Sequence, residues 1–239
     1  MSKWQLAYEF DPRITNPGYL IRNRLLKGIA RHAPGMSGRL LDFGCGSKPY
    51  RTLFQVDEYI GLDFENPGHP HRNEKIDVFY DGRHIPFGDG TFDCIFSSEV
   101  FEHVFNLPDV LKEINRVLKP GGLILVTCPF AICEHEVPND FARYSSYGIR
   151  YLMAAHGLEM VSQEKTGNSV ETVFQLWVTY IHLHINPVFR KIPVVRSAFR
   201  FITYTSLNLM ALFLSNILPD RQDLYLNNII VCKKTGPIA

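Results

Sequence analysis

Four short apolar runs, RLLDF (39–43), YIGLD (59–63), FDCIFS (92–97) and LILVT (123–127), constrain this chain more than any other feature. Each reads as a strand buried on both faces. Helical periodicity lies between and before them. Residues 19–31 carry Leu20, Leu25, Leu26 and Ile29 at helical spacing, and residues 107–118 place Val110, Leu111, Ile114, Val117 and Leu118 on one side. Apolar strands alternating with helices require a mostly parallel sheet covered on both faces.

The remaining elements follow from local chemistry. Ser47 is positioned to cap a helix through Phe54, with Pro49 tolerated in its first turn. The polar stretch Glu65 to Lys75 reads as a loop, Ile76 to Tyr80 as a third strand, and KPGG at 119–122 as the stop of the second helix. Ser145 and Ser146 are placed to cap a helix over 147–156 that Gly157 ends. Leu158 to Gln163 and Leu226 to Cys232 complete seven strands. With 239 residues, 46% of them hydrophobic, the chain suffices for one sizeable core. One domain over 1–239 is the expected organisation: a lead-in (1–38), a ligand-binding core (39–167), a helical insert (168–219), and the last strand with its tail (220–239).

Lys and Arg number 25 against 24 Asp and Glu, so no global field favours nucleic acid. The cysteines, at 45, 94, 128, 133 and 232, are odd in number and contain no C-x-x-C pair, which reads as reduced thiols in a cytoplasmic protein. The first residues, MSKWQLAYEFDPR, hold no apolar signal core, which argues against secretion.

The first strand runs into LLDFGCGSKPY (40–50), where Gly44 and Gly46 allow a ligand to approach the backbone closely. Asp63 ends the next strand, roughly 20 residues on, where an acid accepts hydrogen bonds from ribose hydroxyls. A dinucleotide fingerprint needs a third glycine, and Pro49 stands in its place. No triphosphate-binding GxxxxGK[ST] run occurs either. A nucleoside without phosphates, carrying an amino acid, fits these residues better.

LLDFGCG, YIGLD, YDGRHIPFGDGTFDCIFSSEVFEHV and EINRVLKPGGLILVT, in this order, resemble the motifs of class I S-adenosylmethionine-dependent methyltransferases of the small-molecule type. The wording GCGSKPY resembles members that modify sugars and lipids. The resemblance covers about residues 39–165 and the last strand, and it departs at Ser47-Lys48-Pro49, where many members have another glycine. It implies a Rossmann-like doubly wound, seven-stranded, mostly parallel sheet with helices on both faces and an antiparallel last strand, and a helical insert before that strand. It implies S-adenosylmethionine as cofactor, held by Asp42, Gly44, Cys45, Gly46, Asp63, Phe64, Asp81, Gly82 and Ser97. Asp63 would take the ribose, Asp81 the adenine amino group, and Asp42 the cofactor ammonium. Asp81 also suits a turn before Gly82, and Ser97 an ordinary strand end.

The sulfonium carries its own activation, so the protein mainly positions the reactants. An oxygen acceptor still loses a proton, and a histidine is the usual base. The segment 129–148, which follows the fifth strand, supplies His135 as the candidate base and Asn139, Arg143 and Tyr144 as substrate contacts. His103 is a further candidate for the pocket lining. Glu99 and Glu102 read as capping or surface acids. No metal is expected: His182-x-His184 has neither an acid nor a cysteine beside it.

From Thr172 to Pro219 there is no Asp or Glu, while Arg190, Lys191, Arg196 and Arg200 are present. Two amphipathic helices are expected here. In the second, Arg200, Tyr204, Asn208, Ala211 and Ser215 form a small or polar stripe, and the rest of the wheel is apolar. The insert is expected to fold over the carboxyl end of the sheet and close the acceptor pocket. Any leftover apolar face would meet a second subunit or a membrane surface. The expected function is methyl transfer to an oxygen of a sugar or lipid-linked small molecule. The rival is a non-catalytic S-adenosylmethionine-binding sensor or scaffold.

Overall fold

The computed structural model describes residues 6–64 and 75–236. Seven strands form one sheet in the order β3-β2-β1-β4-β5-β7-β6. They are β1 (Arg39–Phe43), β2 (Glu58–Phe64), β3 (Val78–Tyr80), β4 (Phe92–Ser98), β5 (Leu118–Pro129), β6 (Leu158–Lys165) and β7 (Asn227–Lys234). The first five pair in parallel, and β7 runs antiparallel to both β5 and β6. The expected α/β architecture is therefore present, with its antiparallel last strand. The loop expected over Glu65 to Lys75 lies, but for Lys75, outside the described residues.

Alternation along the strands divides the core. Leu41, Phe43, Ile95, Ile124, Val126 and Ile230 face α2 (Leu107–Val117) and α3 (Ser146–Ala155). Leu40, Cys94, Phe96, Leu125 and Ile229 face the other way, where α1 (Tyr19–His32) packs. α3 begins as its sequence suggests, with Ser145 Oγ accepting the Gly148 N–H at 3.1 Å.

Two expectations at element ends are corrected. Residues 47–54 form no α-helix, only a single 3-10 turn at Arg51–Leu53. Lys48 adopts a left-handed φ of 55° and Pro49 has no N–H, so the helical bond ladder does not start. Tyr50 and Phe54 instead cover that face beside Phe96. KPGG does not separate helix from strand: α2 passes straight into β5 at Leu118, and the irregularity appears as a register shift between Phe92 and Cys94.

The insert leaves β6 and re-enters β7 at the carboxyl edge of the sheet. It comprises α4 (Ser169–Tyr180), a π-turn (Ile181–Ile185), a 3-10 segment (Asn186–Lys191) and α5 (Pro193–Ile217). Both helices are joined to the amino-terminal region. Asn208 Nδ2 donates to the carbonyls of Ile14 (2.7 Å) and Asn16 (3.0 Å), and Gln175 Nε2 to that of Pro17 (2.8 Å). The polar stripe of α5 faces inward, with Tyr204, Asn208 and Ala211 buried. Phe201, Ile202, Leu209, Met210, Phe213 and Ile217 are exposed. No helix among the described residues is long and apolar enough to cross a membrane.

Arg24 of α1 forms an ion pair with Glu171 of α4, and Nε donates to Oε2 at 2.9 Å. The Glu171 side chain is 3% exposed and that of Arg24 32%. Glu171→Ala strands a partly buried guanidinium, and the exposed third of Arg24 softens the loss to about 2 kcal/mol. An unfolding free energy lowered by that amount in denaturant melts is expected; an unchanged value would show that the insert does not lean on α1 through this pair.

Candidate functional site

The candidate site is built at the carboxyl ends of β1, β2 and β4, where open α/β sheets bind ligands. After Phe43 the chain turns at Gly44, whose φ of 72° places it in the left-handed region. A Cβ there would stand 2.4 Å from Val100 Cγ2, so both conformation and contact require glycine. The N–H groups of Gly44 and Cys45 donate to the Leu62 carbonyl at 2.8 and 3.1 Å, folding the turn over the end of β2. Gly46 N–H then donates to Asp63 Oδ2 at 2.7 Å, and Phe64 N–H to Asp63 Oδ1 at 2.7 Å. Asp63 is thus a carboxylate fixed at a strand end by two backbone donors. Phe64 is 42% exposed and lies against Gly82, where a Cβ would approach its ring to 2.9 Å.

The structure brings Gly44, Gly46, Asp63, Phe64 and Gly82 together but turns three other expected side chains inward. Asp42 is 3% exposed and accepts a hydrogen bond from Tyr59 Oη at 2.5 Å. Cys45 is buried, and its Sγ lies 2.7 Å from where a Gly61 Cβ would stand. Ser97 is buried, and its hydroxyl donates to the Phe43 carbonyl at 2.9 Å, joining β4 to β1. Asp81 Oδ1 accepts the N–H groups of Arg83 and His84, both at 2.8 Å, as a turn residue does.

The residues expected to meet the acceptor gather beside β4 and β5. His103 follows β4 in a 3-10 turn (Phe101–His103), and His135 lies in the segment after β5. Their rings meet edge-on with centroids 4.7 Å apart. Asn139 contributes its carbonyl, 2.7 Å from His103 Nδ1. Arg143 is spent on its own loop, donating to Asp140 Oδ1 (2.5 Å), Asp140 Oδ2 (2.6 Å) and the Ala142 carbonyl (2.7 Å). It braces the segment instead of reaching outward, and the same contact holds the Asp140 carboxyl well below its ordinary range. Tyr144 packs against the core. Burial, and then the neighbouring His103, lower the His135 pKa from its ordinary value, so the ring is neutral near pH 7.

Glu99 and Glu102 are not surface acids. Glu99 takes a left-handed φ of 56° and accepts from Thr127 Oγ1 (2.8 Å) and Asn227 Nδ2 (2.7 Å). Burial pushes its carboxyl up to about 7. Glu102 is 0% exposed, and burial together with the charge of Glu99 raises its pKa well above the usual range. The signal for them is the spacing Glu-x-x-Glu-His, which begins one residue past the end of β4. His182 of the His-x-His pair is held by Tyr204 Oη at 2.9 Å. A large open cavity of about 800 Å³, lined by Asp89, Asn115, Arg116 and Lys234, lies at the opposite, amino edge of the sheet.

Residues 41–126, a little over a third of the chain, match the family model described as a methyltransferase domain. The chain is 31% identical to malonyl-[acyl-carrier protein] O-methyltransferase of Erwinia pyrifoliae over 41% of this chain and 40% of that one. It is 37% identical to sterol 24-C-methyltransferase erg6 of Schizosaccharomyces pombe over 48% of this chain and 34% of that one. The matches thus span less than half the length of these curated relatives. Phosphoethanolamine N-methyltransferase 2 of Haemonchus contortus, solved with phosphomonomethylethanolamine and S-adenosylhomocysteine, shares the fold with a TM-score of 0.51 at 18% identity, over 90% of this chain and 53% of that one. The matched family model and these relatives are all described as methyltransferases.

Burial, partly offset by the Tyr59 hydroxyl and reinforced by Asp63, pushes the Asp42 carboxyl up to about 7. The unfolded chain titrates the same group near 3.9. Between those values the folded state keeps a proton that the unfolded state has lost. The contribution of Asp42 is therefore full below about pH 4 and is lost as pH rises toward 7. Asp42→Asn removes that loss. The variant is expected to be more stable than the wild type at about pH 8, by ~2 kcal/mol or more, with the gap narrowing at about pH 4. Denaturant melts at the two pH values check this; a less stable variant at the higher pH would contradict it.

Proposed function

We propose that this chain is an S-adenosylmethionine-dependent methyltransferase that methylates an oxygen of a small-molecule acceptor, on a sugar or lipid-linked intermediate. The observation that carries the reading is the Asp63 carboxylate, held by the N–H groups of Gly46 and Phe64 beside the Gly44-Cys45-Gly46 turn. A carboxylate so oriented accepts two ribose hydroxyls, and the turn leaves backbone room for the rest of a nucleoside. Bound there, S-adenosylmethionine would supply a methyl group already activated on a sulfonium.

The chain's own residues then bind and align. Phe64 and Gly82 would flank the adenine, with Asp81 beside them. Asp42, Cys45 and Ser97 would act from beneath, by holding the turn and the strand ends. His135, neutral near pH 7, would take the acceptor's proton, with His103 next to it. Asn139, Arg143 and Tyr144 would shape the acceptor wall, Arg143 by bracing the segment through Asp140. The names of the relatives, an acyl-carrier O-methyltransferase and a sterol methyltransferase, favour a small or lipid-borne acceptor.

Calorimetry is expected to show S-adenosylmethionine or S-adenosylhomocysteine binding in preference to NAD. Each lost charge-assisted hydrogen bond is worth about 1.5–3 kcal/mol, so Asp63→Ala should weaken that binding by tenfold or more in a folded chain. Tighter binding of NAD, or unchanged affinity in the folded variant, would sink the reading.

The exposed apolar side of α5, with the exposed Arg190, Lys191 and Arg200 beside it, supports contact with an anionic membrane surface that delivers a lipid-linked acceptor. The chain should float with phosphatidylglycerol vesicles at low salt and not with neutral ones, and Phe201→Glu together with Phe213→Glu should abolish flotation. A wild-type chain that stays at the bottom of the gradient with both vesicle types would remove this surface contact.

A further inference from the structure

Glu102 is fully buried, and neither carboxylate oxygen has a hydrogen-bond partner among the described residues. Such a group is costly to bury, and it calls for an ion or a donor to complete it. Its surroundings specify which. His103 Nε2 lies 3.8 Å from Glu102 Oε1, and His135 Nε2 lies 3.9 Å from the same oxygen. One ligand atom from each of the three residues falls within 4.8 Å of the others.

The rings are oriented as well as close. His103 Nδ1 is 2.7 Å from the Asn139 carbonyl, which only accepts, so Nδ1 carries the hydrogen and the Nε2 lone pair faces Glu102. His135 Nδ1 faces the Cys133 carbonyl at 3.3 Å. Both imidazoles are thus tethered through Nδ1 to backbone carbonyls of one loop while both Nε2 atoms converge on one carboxylate oxygen. Metal-bound histidines are supported in this way. The nearby cation, Arg143, holds Asp140 by two short bonds and meets His135 only at Nδ1, 3.4 Å away, the ring nitrogen that does not face Glu102.

We propose that Glu102 Oε1, His103 Nε2 and His135 Nε2 hold a divalent transition-metal ion that receives the acceptor's oxygen at an open coordination position. Two imidazoles and a carboxylate suit Zn²⁺, Co²⁺ or Mn²⁺; Ca²⁺ and Mg²⁺ prefer oxygen ligands throughout. Metal–ligand bonds of about 2.0–2.2 Å place tetrahedral neighbours about 3.4 Å apart, so the two acid–histidine spacings need to close by about half an ångström and the third, within 4.8 Å, by about 1.4 Å at most. Glu136 Oε2, 3.9 Å from His103 Nε2, is within reach as a further donor.

This inference rests on the methyl-transfer reading and changes the part that His135 plays, from free base to ligand. The cation lowers the pKa of the acceptor hydroxyl, whose proton leaves to water. The oxygen forms its bond to the methyl carbon as the sulfur–carbon bond breaks and its electron pair passes to sulfur. The products are the methyl ether, the thioether S-adenosylhomocysteine and one proton, and the cation is unchanged.

The test titrates the chelator-stripped full chain with Co²⁺ alone and with Zn²⁺ alone, followed by visible d–d absorption and calorimetry. One equivalent should bind, with affinity falling about 100-fold or more in Glu102→Gln, His103→Asn and His135→Asn. Circular dichroism checks each fold, and Glu102→Gln, which puts an amide of the same shape in place of a buried carboxyl, should keep it. A wild type that takes up no metal, or folded variants that bind as the wild type does, would overturn the site. S-adenosylhomocysteine binding to the metal-stripped chain tests the underlying reading separately. If it fails while the metal pattern holds, the methyltransferase reading falls and the metal site stands; in the reverse case the site falls alone.

Discussion

The Leu62 carbonyl oxygen fixes the working edge of this sheet. By accepting the N–H groups of both Gly44 and Cys45, it forces the chain leaving β1 to fold across the end of β2. That fold brings Gly46 to Asp63 and orients the carboxylate before any ligand arrives. It also presses Gly44 against Val100, so the turn touches the segment that follows β4. Glu102 and His103 lie two and three residues beyond Val100. The nucleoside-type turn and the acid–histidine cluster are therefore neighbours through a single side-chain contact. Proximity of this kind is what a displacement between two bound molecules requires.

The parts of the fold that were legible in the sequence are those with one dominant physical cause. Strands β1, β4 and β5 bury both faces, so their apolar runs show plainly, and α2 shows because one stripe carries its packing. The helix expected after Ser47 failed because a side-chain cap is a local preference, and the left-handed Lys48 followed by Pro49 outweighs it. Asp63, Gly44 and Gly46 were legible through backbone needs that only certain residues meet. Glu102 was not. Nothing in a Glu-x-x-Glu-His run tells a surface acid from a buried one until the loop at Phe141 and Ala142 is seen donating to the Glu102 carbonyl and closing over it. Arg143 misled in the opposite sense: an arginine in a polar loop suggests a ligand, yet Asp140, three residues earlier, saturates it.

Two buried acids near this edge, Asp42 and Glu102, and the half-buried Glu99 between them in sequence are held in three different ways. Asp42 has the Tyr59 hydroxyl, Glu99 has Thr127 and Asn227, and the Glu102 carboxyl has no donor among the described residues. Each costs stability by desolvation, and only the first two recover part of it through hydrogen bonds. A chain concerned with stability alone would place apolar residues at such positions. The gradient from satisfied to unsatisfied runs from beneath the turn toward the histidine pair, so the least compensated acid sits where chemistry would occur. Stability conceded at a site of this kind is the usual mark of function.

The insert applies the same economy of hydrogen bonds at a larger scale. A helix wheel with a wide apolar arc and a narrow polar stripe normally turns the arc inward. Here α5 turns its polar stripe inward, because the surface that receives it is mixed, with backbone carbonyls beside Leu20, Val178 and Ile181. Residues 14–17 expose backbone carbonyls at the amino-terminal approach to α1, and Asn208 on α5 and Gln175 on α4 donate to them. Burying those carbonyls against the apolar arc would leave them unpaired, a cost of about 1–3 kcal/mol each. Ala211, one turn beyond Asn208, is small enough to let the helix approach closely. The polar stripe is thus part of the adhesive face, with Leu207 and Leu212 packed beside it, and the rest of the apolar arc lies outside. Which arc faces in was decided by the chemistry of the receiving segment, about 190 residues away in sequence, and that is why the wheel alone could not decide it.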